Sequence, residues 1–224
     1  MIDKLMAPLA AVDLAAAAVF AVTGALVASR KKLDIVAFMW LGVVTGVGGG
    51  TVRDLLLGVP VFWVRDPTPV IACLLASIVT YFTAHLVYSR YRVILWLDAI
   101  GLALVTIAGT AKGLDAGAGP VVAVVMGVIT AAVGGVIRDI LGQEASIILR
   151  REIYVTASLA GAITFVMLSG AGLDRPATAL CAGFVALTLR GLAIFYGWSL
   201  PTYRARPGRH PDEVDPRSNL QRTV

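Results

Sequence analysis

Two histidines, His85 and His210, and two cysteines, Cys73 and Cys181, are all that the 224-residue chain offers for soft metal ligation or thiol chemistry. The histidines have no partner at metal or triad spacing, and each cysteine stands alone inside an apolar run. That excludes a disulfide framework, a metal-ligand pattern and a catalytic constellation, so the expectation is a non-enzyme without a cofactor. Charge is scarce too, with Asp, Glu, Lys and Arg making up 15% of the residues. The glycine runs lack the Lys-Ser/Thr that follows a phosphate-binding loop, so no nucleotide cradle is expected. The net charge of +5 sits in connectors and tail, where membrane topology accounts for it, and nucleic acid is not an expected partner.

Apolar residues are what the chain has in abundance. They make up 58% of it and come in long runs rather than at amphipathic spacing. A helix needs about 20 apolar residues to cross a bilayer, and the runs between charged punctuation predict seven spans. The expected spans are Pro8–Ser29, Asp34–Leu57, Pro69–Tyr88, Val93–Thr110, Pro120–Leu141, Ile153–Leu168 and Ala177–Trp198. The first is too long for a signal-peptide core and contains Asp13, so it reads as a retained helix. The fold class is an all-α polytopic membrane protein, with one transmembrane domain over residues 1–200 and a polar, disordered tail over 201–224.

The basic residues divide by side. One face collects Arg30, Lys31, Lys32, Arg90, Arg92, Arg150, Arg151 and the tail residues Arg204, Arg206, Arg209, Arg217 and Arg222; the other has Lys4, Arg65, Lys112 and Arg175. Positive residues stay cytoplasmic, which places the N-terminus outside, the C-terminus inside and the chain in the cell's inner membrane. Anionic headgroups are the natural partner of the tail.

The chain repeats itself at an offset of 85 residues. Asp13 aligns with Asp98, Gly24 with Gly109, and Gly42-Val-Val-Thr45 with Gly127-Val-Ile-Thr130. Gly49-Gly50-Thr51-Val52-Arg53-Asp54 aligns with Gly134-Gly135-Val136-Ile137-Arg138-Asp139, and Val133 stands where the first copy has Gly48. Each copy holds three spans (about 8–89 and 93–170), so the second enters from the opposite side, with the seventh span (177–198) left over. Inverted repeats of this kind place a shared site where the copies meet, here between the second and fifth spans.

Charges inside a span are a functional-site hypothesis by default. Depth predicts two symmetry-related ion pairs, Asp13 with Arg53 and Asp98 with Arg138, while Asp54 and Asp139 either bind neighbouring helices or end their own. Gly48, Gly49, Gly50, Gly134 and Gly135 are expected to break or kink their helices and free backbone carbonyls, with Thr45 and Thr130 lining a polar path. Gly42, Gly46 and Gly127 read as a small-residue packing stripe. Phe62 and Trp63 read as an interfacial aromatic pair, His85 as interfacial, and Arg190 as reaching the cytoplasmic headgroups.

The doubled GG-x-x-RD signature in two three-helix repeats, with a seventh helix, resembles the prokaryotic trimeric intracellular cation channels. The same bacterial sequences are also described as glycine transporters. The resemblance covers Ala7 to about Trp198. It implies a homotrimer with one pore per protomer, the glycines of the second and fifth spans crossing, and permeation by monovalent cations, chiefly potassium. On the residues alone two other readings stay open: a secondary transporter of a small zwitterion held by Arg and Asp, and a scaffold whose glycine faces drive packing.

Overall fold

In the computed structural model, which describes residues 2–144 and 153–200 with side chains from Ala10 onward, the long apolar runs are helices and no strand interrupts them. They are α1 (Ile2–Arg30), α2 (Ile35–Leu56), the single turn α3 (Phe62–Arg65), α4 (Thr68–Thr83), α5 (Arg90–Asp115), α6 (Pro120–Leu141), α7 (Val155–Gly170) and α8 (Arg175–Tyr196). A 3₁₀ turn, Ala84–Leu86, extends α4. Six stretches are long and apolar enough to cross a membrane, and α7, with 16 residues, is a shorter apolar helix. Arg150, Arg151, the tail arginines and the expected disordered tail lie outside the described residues.

Helix ends follow local chemistry. Asp34 accepts a hydrogen bond from Ala37 N (2.8 Å) and Asp174 one from Ala177 N (3.2 Å), capping α2 and α8. Proline occupies the first turn of α4, α6 and α8, where its missing N–H is not needed. The closing turns carry the repeat: Lys32 after α1 (φ 56°) matches Gly117 after α5 (φ 79°), and Gly58 after α2 (φ 65°) matches Gln143 after α6 (φ 49°). At the same left-handed position, then, each pair has one glycine and one residue that adopts the conformation at a cost.

Packing divides the helices into α1, α2 and α4 on one side and α5, α6 and α7 on the other, with α8 laid against α5 and α7. The groups meet through α1 against α5 and α2 against α6. Their core is small and aliphatic, with Phe20, Leu102 and Tyr154 as its large members. Outward surfaces are apolar instead of charged: Val36, Trp40, Phe82, Leu180, Phe184 and Phe195 are exposed, as suits lipid. Cys73 is buried with its thiol toward Ala17 O (3.4 Å), whereas Cys181 is exposed rather than packed.

Glycine makes the close approaches possible. A Cβ on Gly42 would fall against the Ser77 hydroxyl and 3.2 Å from Ala21 O; on Gly127 it would fall against the Thr110 hydroxyl and 3.0 Å from Thr106 O. The stripe therefore packs, as expected. No helix break occurs at Gly48, Gly49 and Gly50 or at Gly134 and Gly135, because α2 and α6 are helical throughout. Those glycines give up side chains, not hydrogen bonds: the space at Gly48, Gly49 and Gly134 is taken by the facing helix, that at Gly50 by Phe62 and that at Gly135 by Tyr154.

Candidate functional site

Helices α2 and α6 cross on their glycines. A Cβ on Gly49 would fall against Thr130 O, and one on Gly134 would lie 2.8 Å from Thr45 O. Gly49 over Thr130 and Gly134 over Thr45 means the helices run antiparallel, so Arg53 and Arg138 lie beyond opposite ends of the contact. Thr45 and Thr130 are buried, and their hydroxyls donate back to Leu41 O and Met126 O, both at 2.5 Å. These hydroxyls are occupied within their own helices. It is the threonine carbonyls that face the opposite glycines.

At one end, the buried Arg53 of α2 donates from Nη1 to Asp13 Oδ1 of α1 (2.9 Å), from Nη2 to Asp13 Oδ2 (3.3 Å) and from Nε to Asp54 Oδ1 (2.8 Å). Asp54 is buried as well, and it also accepts from Lys112 Nζ of α5 (2.9 Å) and from Phe62 N of α3 (2.9 Å), both at Oδ2. The expected Asp13–Arg53 pair is present within a larger network. Lys112 continues α5, which was expected to have ended by then, and is not part of a connecting turn. The only hint of it in the sequence was a lone lysine next to an apolar run.

At the other end, Arg138 donates from Nη1 to Asp98 Oδ1 (2.8 Å) and Thr23 Oγ1 (3.1 Å), and from Nε (3.0 Å) and Nη2 (2.9 Å) to Asp139 Oδ1. The second predicted pair is thus also formed. Asp98 is fully buried, and among the described residues its Oδ2 has no hydrogen-bond donor. The missing Cβ of Gly135 leaves room for the Tyr154 hydroxyl at 3.3 Å, and that hydroxyl donates to Ala131 O (3.1 Å). Arg190, expected at the headgroups, is instead buried, with its guanidinium 5.2 Å from the Tyr154 ring centroid and Nη1 donating to Ile153 O (3.5 Å). Sequence reasoning passed over Tyr154 and Thr23 because neither breaks an apolar pattern. His85 is exposed on the turn after α4.

Charges this deep in an apolar bundle persist only when paired and hydrogen-bonded, since desolvating each ion costs several kcal/mol. Each Arg-Asp dipeptide satisfies that locally, and an aspartate from the preceding helix of the same repeat completes it. A cavity of about 510 Å³ opens at the Arg53 end, lined by Asp13, Arg65, Asp66, Lys112, Asp115 and Phe62 among others. It carries both signs of charge. Phe62 and Trp63 open α3, and Trp63 Nε1 donates to Thr51 Oγ1 (2.8 Å). Among the described residues no cluster of His, Cys, Asp or Glu is arranged to hold a metal ion.

A bundle of apolar helices with duplicated, internally neutralised charges at a glycine crossing defines a multi-pass membrane protein of a repeat-built class. The chain belongs to the family described as glycine transporter, whose model matches it twice, over residues 10–85 and 95–170, at the same 85-residue offset. The inner membrane protein YadS of Escherichia coli (strain K12) is 42% identical over 85% of this chain and 94% of its own. A trimeric intracellular cation channel orthologue from Rhodobacter sphaeroides is 50% identical, with a TM-score of 0.83 over 85% of this chain and 98% of its own. A second solved structure, from work on conductance through such channels, is 31% identical, with a TM-score of 0.77 over 88% and 98% of the two chains. The resemblance stated from the doubled motif is therefore sound, and both descriptions of the family recur among its relatives.

Proposed function

We propose that the protein is a passive cation channel, permeable to potassium, that forms a homotrimer with one path per protomer between α2 and α6. The observation that carries this is the 50% identity and 0.83 TM-score to a cation channel orthologue across 98% of that chain. In this reading residues 1–200 form one membrane domain of seven spans in two inverted repeats plus α8, with the N-terminus outside, the C-terminus cytoplasmic and the protein in the inner membrane. Potassium or sodium would be the permeant ion and no resident cofactor is needed. Asp13 and Asp98 neutralise Arg53 and Arg138, which would otherwise repel a cation, and the carbonyls of Thr45 and Thr130 supply partial negative charge at the crossing.

Two observations favour a second reading, a carrier of a small zwitterion: the family's description, and a cavity at one end that presents carboxylates and cationic side chains together. Recording from the purified protein in planar bilayers under a potassium gradient separates the two. Discrete steps that reverse near the potassium potential establish the channel. Their absence, together with glycine accumulation in proteoliposomes, establishes the carrier.

A further inference from the structure

No side chain of the four-residue α3 is fully buried, yet it is fastened to the signature sequence of α2 at several points. The main-chain N–H of Phe62 donates to Asp54 Oδ2 (2.9 Å), and the indole of Trp63 donates to Thr51 Oγ1 (2.8 Å). The Phe62 ring fills the notch at Gly50, where a Cβ would sit 2.6 Å from its Cε1. The same ring centroid lies 5.7 Å from the Arg53 guanidinium and 5.8 Å from Lys112 Nζ. Gly50, Thr51, Arg53 and Asp54 therefore form a receptor for two aromatic residues. None of this follows from needing a neutral ion pair, because Asp13 already provides that.

Phe62 also lines the cavity, while Arg53 and Asp54 behind it are fully buried. Together with Asp13 and Lys112, which line the cavity as well, the ring covers the buried Arg53 and Asp54 on the side from which the Gly49–Thr130 crossing is reached. Its attachments are ones that can release: two hydrogen bonds, two weak cation–π contacts, and the packing of the half-buried Phe62 and Trp63 against the edge of the cluster around Val47 and Cys73. The segment is bounded by Gly58, which turns at φ 65°, and by Pro60 and Pro67, so it is a short strap separate from α2 and α4.

We infer that α3 is a lid docked on the GGTVRD signature and that Phe62 is the gating side chain at the Arg53 end, admitting ions from the cavity when its ring leaves the Gly50 notch. The inference rests on the channel reading. Gly50 and Thr51 then have a role distinct from that of Gly49: they hold the lid, whereas Gly49 holds the crossing.

The test uses the full chain with Phe62→Ala, Gly50→Ala and the double variant. Hydrogen exchange over the peptide spanning residues 59–66 reports docking without any ion flow. Gly50→Ala is expected to speed exchange about tenfold or more by driving the ring out, and adding Phe62→Ala is expected to restore protection, because the new methyl then occupies the vacated space. In planar bilayers each single variant is expected to raise open probability by roughly five- to tenfold, the equivalent of losing contacts of this size. Unchanged exchange in Gly50→Ala overturns the docked lid. Faster exchange with unaltered open probability in both single variants overturns the gating role. If the wild-type protein gives no steps, the channel reading and the gate fall together, and the exchange experiment still decides whether the lid docks.

Discussion

Lys112 of α5 binds Asp54 of α2 at 2.8 Å, and the residue in Lys112's place in the first repeat is Val27 of α1, whose Cγ1 packs where Gly142 lacks a side chain. The two copies of the signature are thus neutralised differently. Lys112→Ala leaves Asp54 with Arg53 and the Phe62 amide, and is expected to destabilise the protein by about 1–3 kcal/mol, the usual loss of a charged hydrogen bond. Thermal unfolding in detergent measures this. No loss would mean that Lys112 contributes nothing to the network.

Asp98 and Arg138 should not respond equally to removal. Arg138→Ala strands two buried carboxylates and is expected to cost about 3–5 kcal/mol or prevent folding. Asp98→Asn keeps an acceptor for Arg138 Nη1 and sets its amide at the unpartnered Oδ2 position, so the loss should be far smaller. Comparing yields and melting temperatures of the two variants checks the order. A worse outcome for Asp98→Asn would show that the negative charge matters more than the hydrogen bond.

Adjacent glycines of the first signature are expected to differ sharply. Gly49→Ala drives a methyl into the backbone oxygen of Thr130, which cannot swing aside, whereas Gly48→Ala meets only Ile137 Cδ1 at 2.9 Å, the mobile tip of a side chain. Overpacking of the first kind costs about 1–3 kcal/mol or more, and the second should be close to neutral. Unfolding midpoints of the two variants give the comparison, and equal effects would place the crossing elsewhere.

The left-handed turns offer a gain. Lys32→Gly and Gln143→Gly put glycine where the aligned position of the other repeat already has it, and each is expected to stabilise by roughly 0.5–1 kcal/mol. The reverse change, Gly117→Lys, should lose a similar amount. Denaturation series on the three single variants test the signs.

Asp66 lies in the exposed connector before α4, and the hydroxyl and then the amide of Thr68 hold its carboxyl below the ordinary carboxylate range. With the folded value depressed, this contribution is present above the unfolded pKa of about 3.9 and is lost as pH falls through the lower folded value. Carboxyl NMR of the protein in detergent should show a midpoint below that of an unstructured aspartate, and Thr68→Ala should move it upward. An unshifted Asp66 would show that Thr68 does not hold its carboxylate.

The spans were legible because apolar runs and charged punctuation obey the bilayer's requirements; Pro120–Leu141 is bounded in the sequence as it is in the structure. The Asp13–Arg53 and Asp98–Arg138 pairs were legible because the repeat put each aspartate and arginine at matching depths. Lys112 was not, since its counterpart is Val27 and internal symmetry therefore gave no warning of it. Arg190 was misplaced for a different reason. A long cationic side chain near the end of a span has two ways to satisfy itself, and the choice of Tyr154 over headgroups is made by tertiary packing. Glycine runs carry the same ambiguity: lost helix propensity and close helix packing have one sequence signature, and only the facing carbonyls of Thr45 and Thr130 distinguish them.

Where Gly49 meets Thr130 and Gly134 meets Thr45, the contact is backbone on backbone. A constriction made of side chains can open by a rotamer change in picoseconds to nanoseconds, but here there is no rotamer to change. Separating these helices is a collective displacement, of the kind that takes microseconds to milliseconds. In the channel reading, transitions at the crossing should therefore be slow enough to resolve as discrete dwell times, with a duration governed by the stiffness of the two helices.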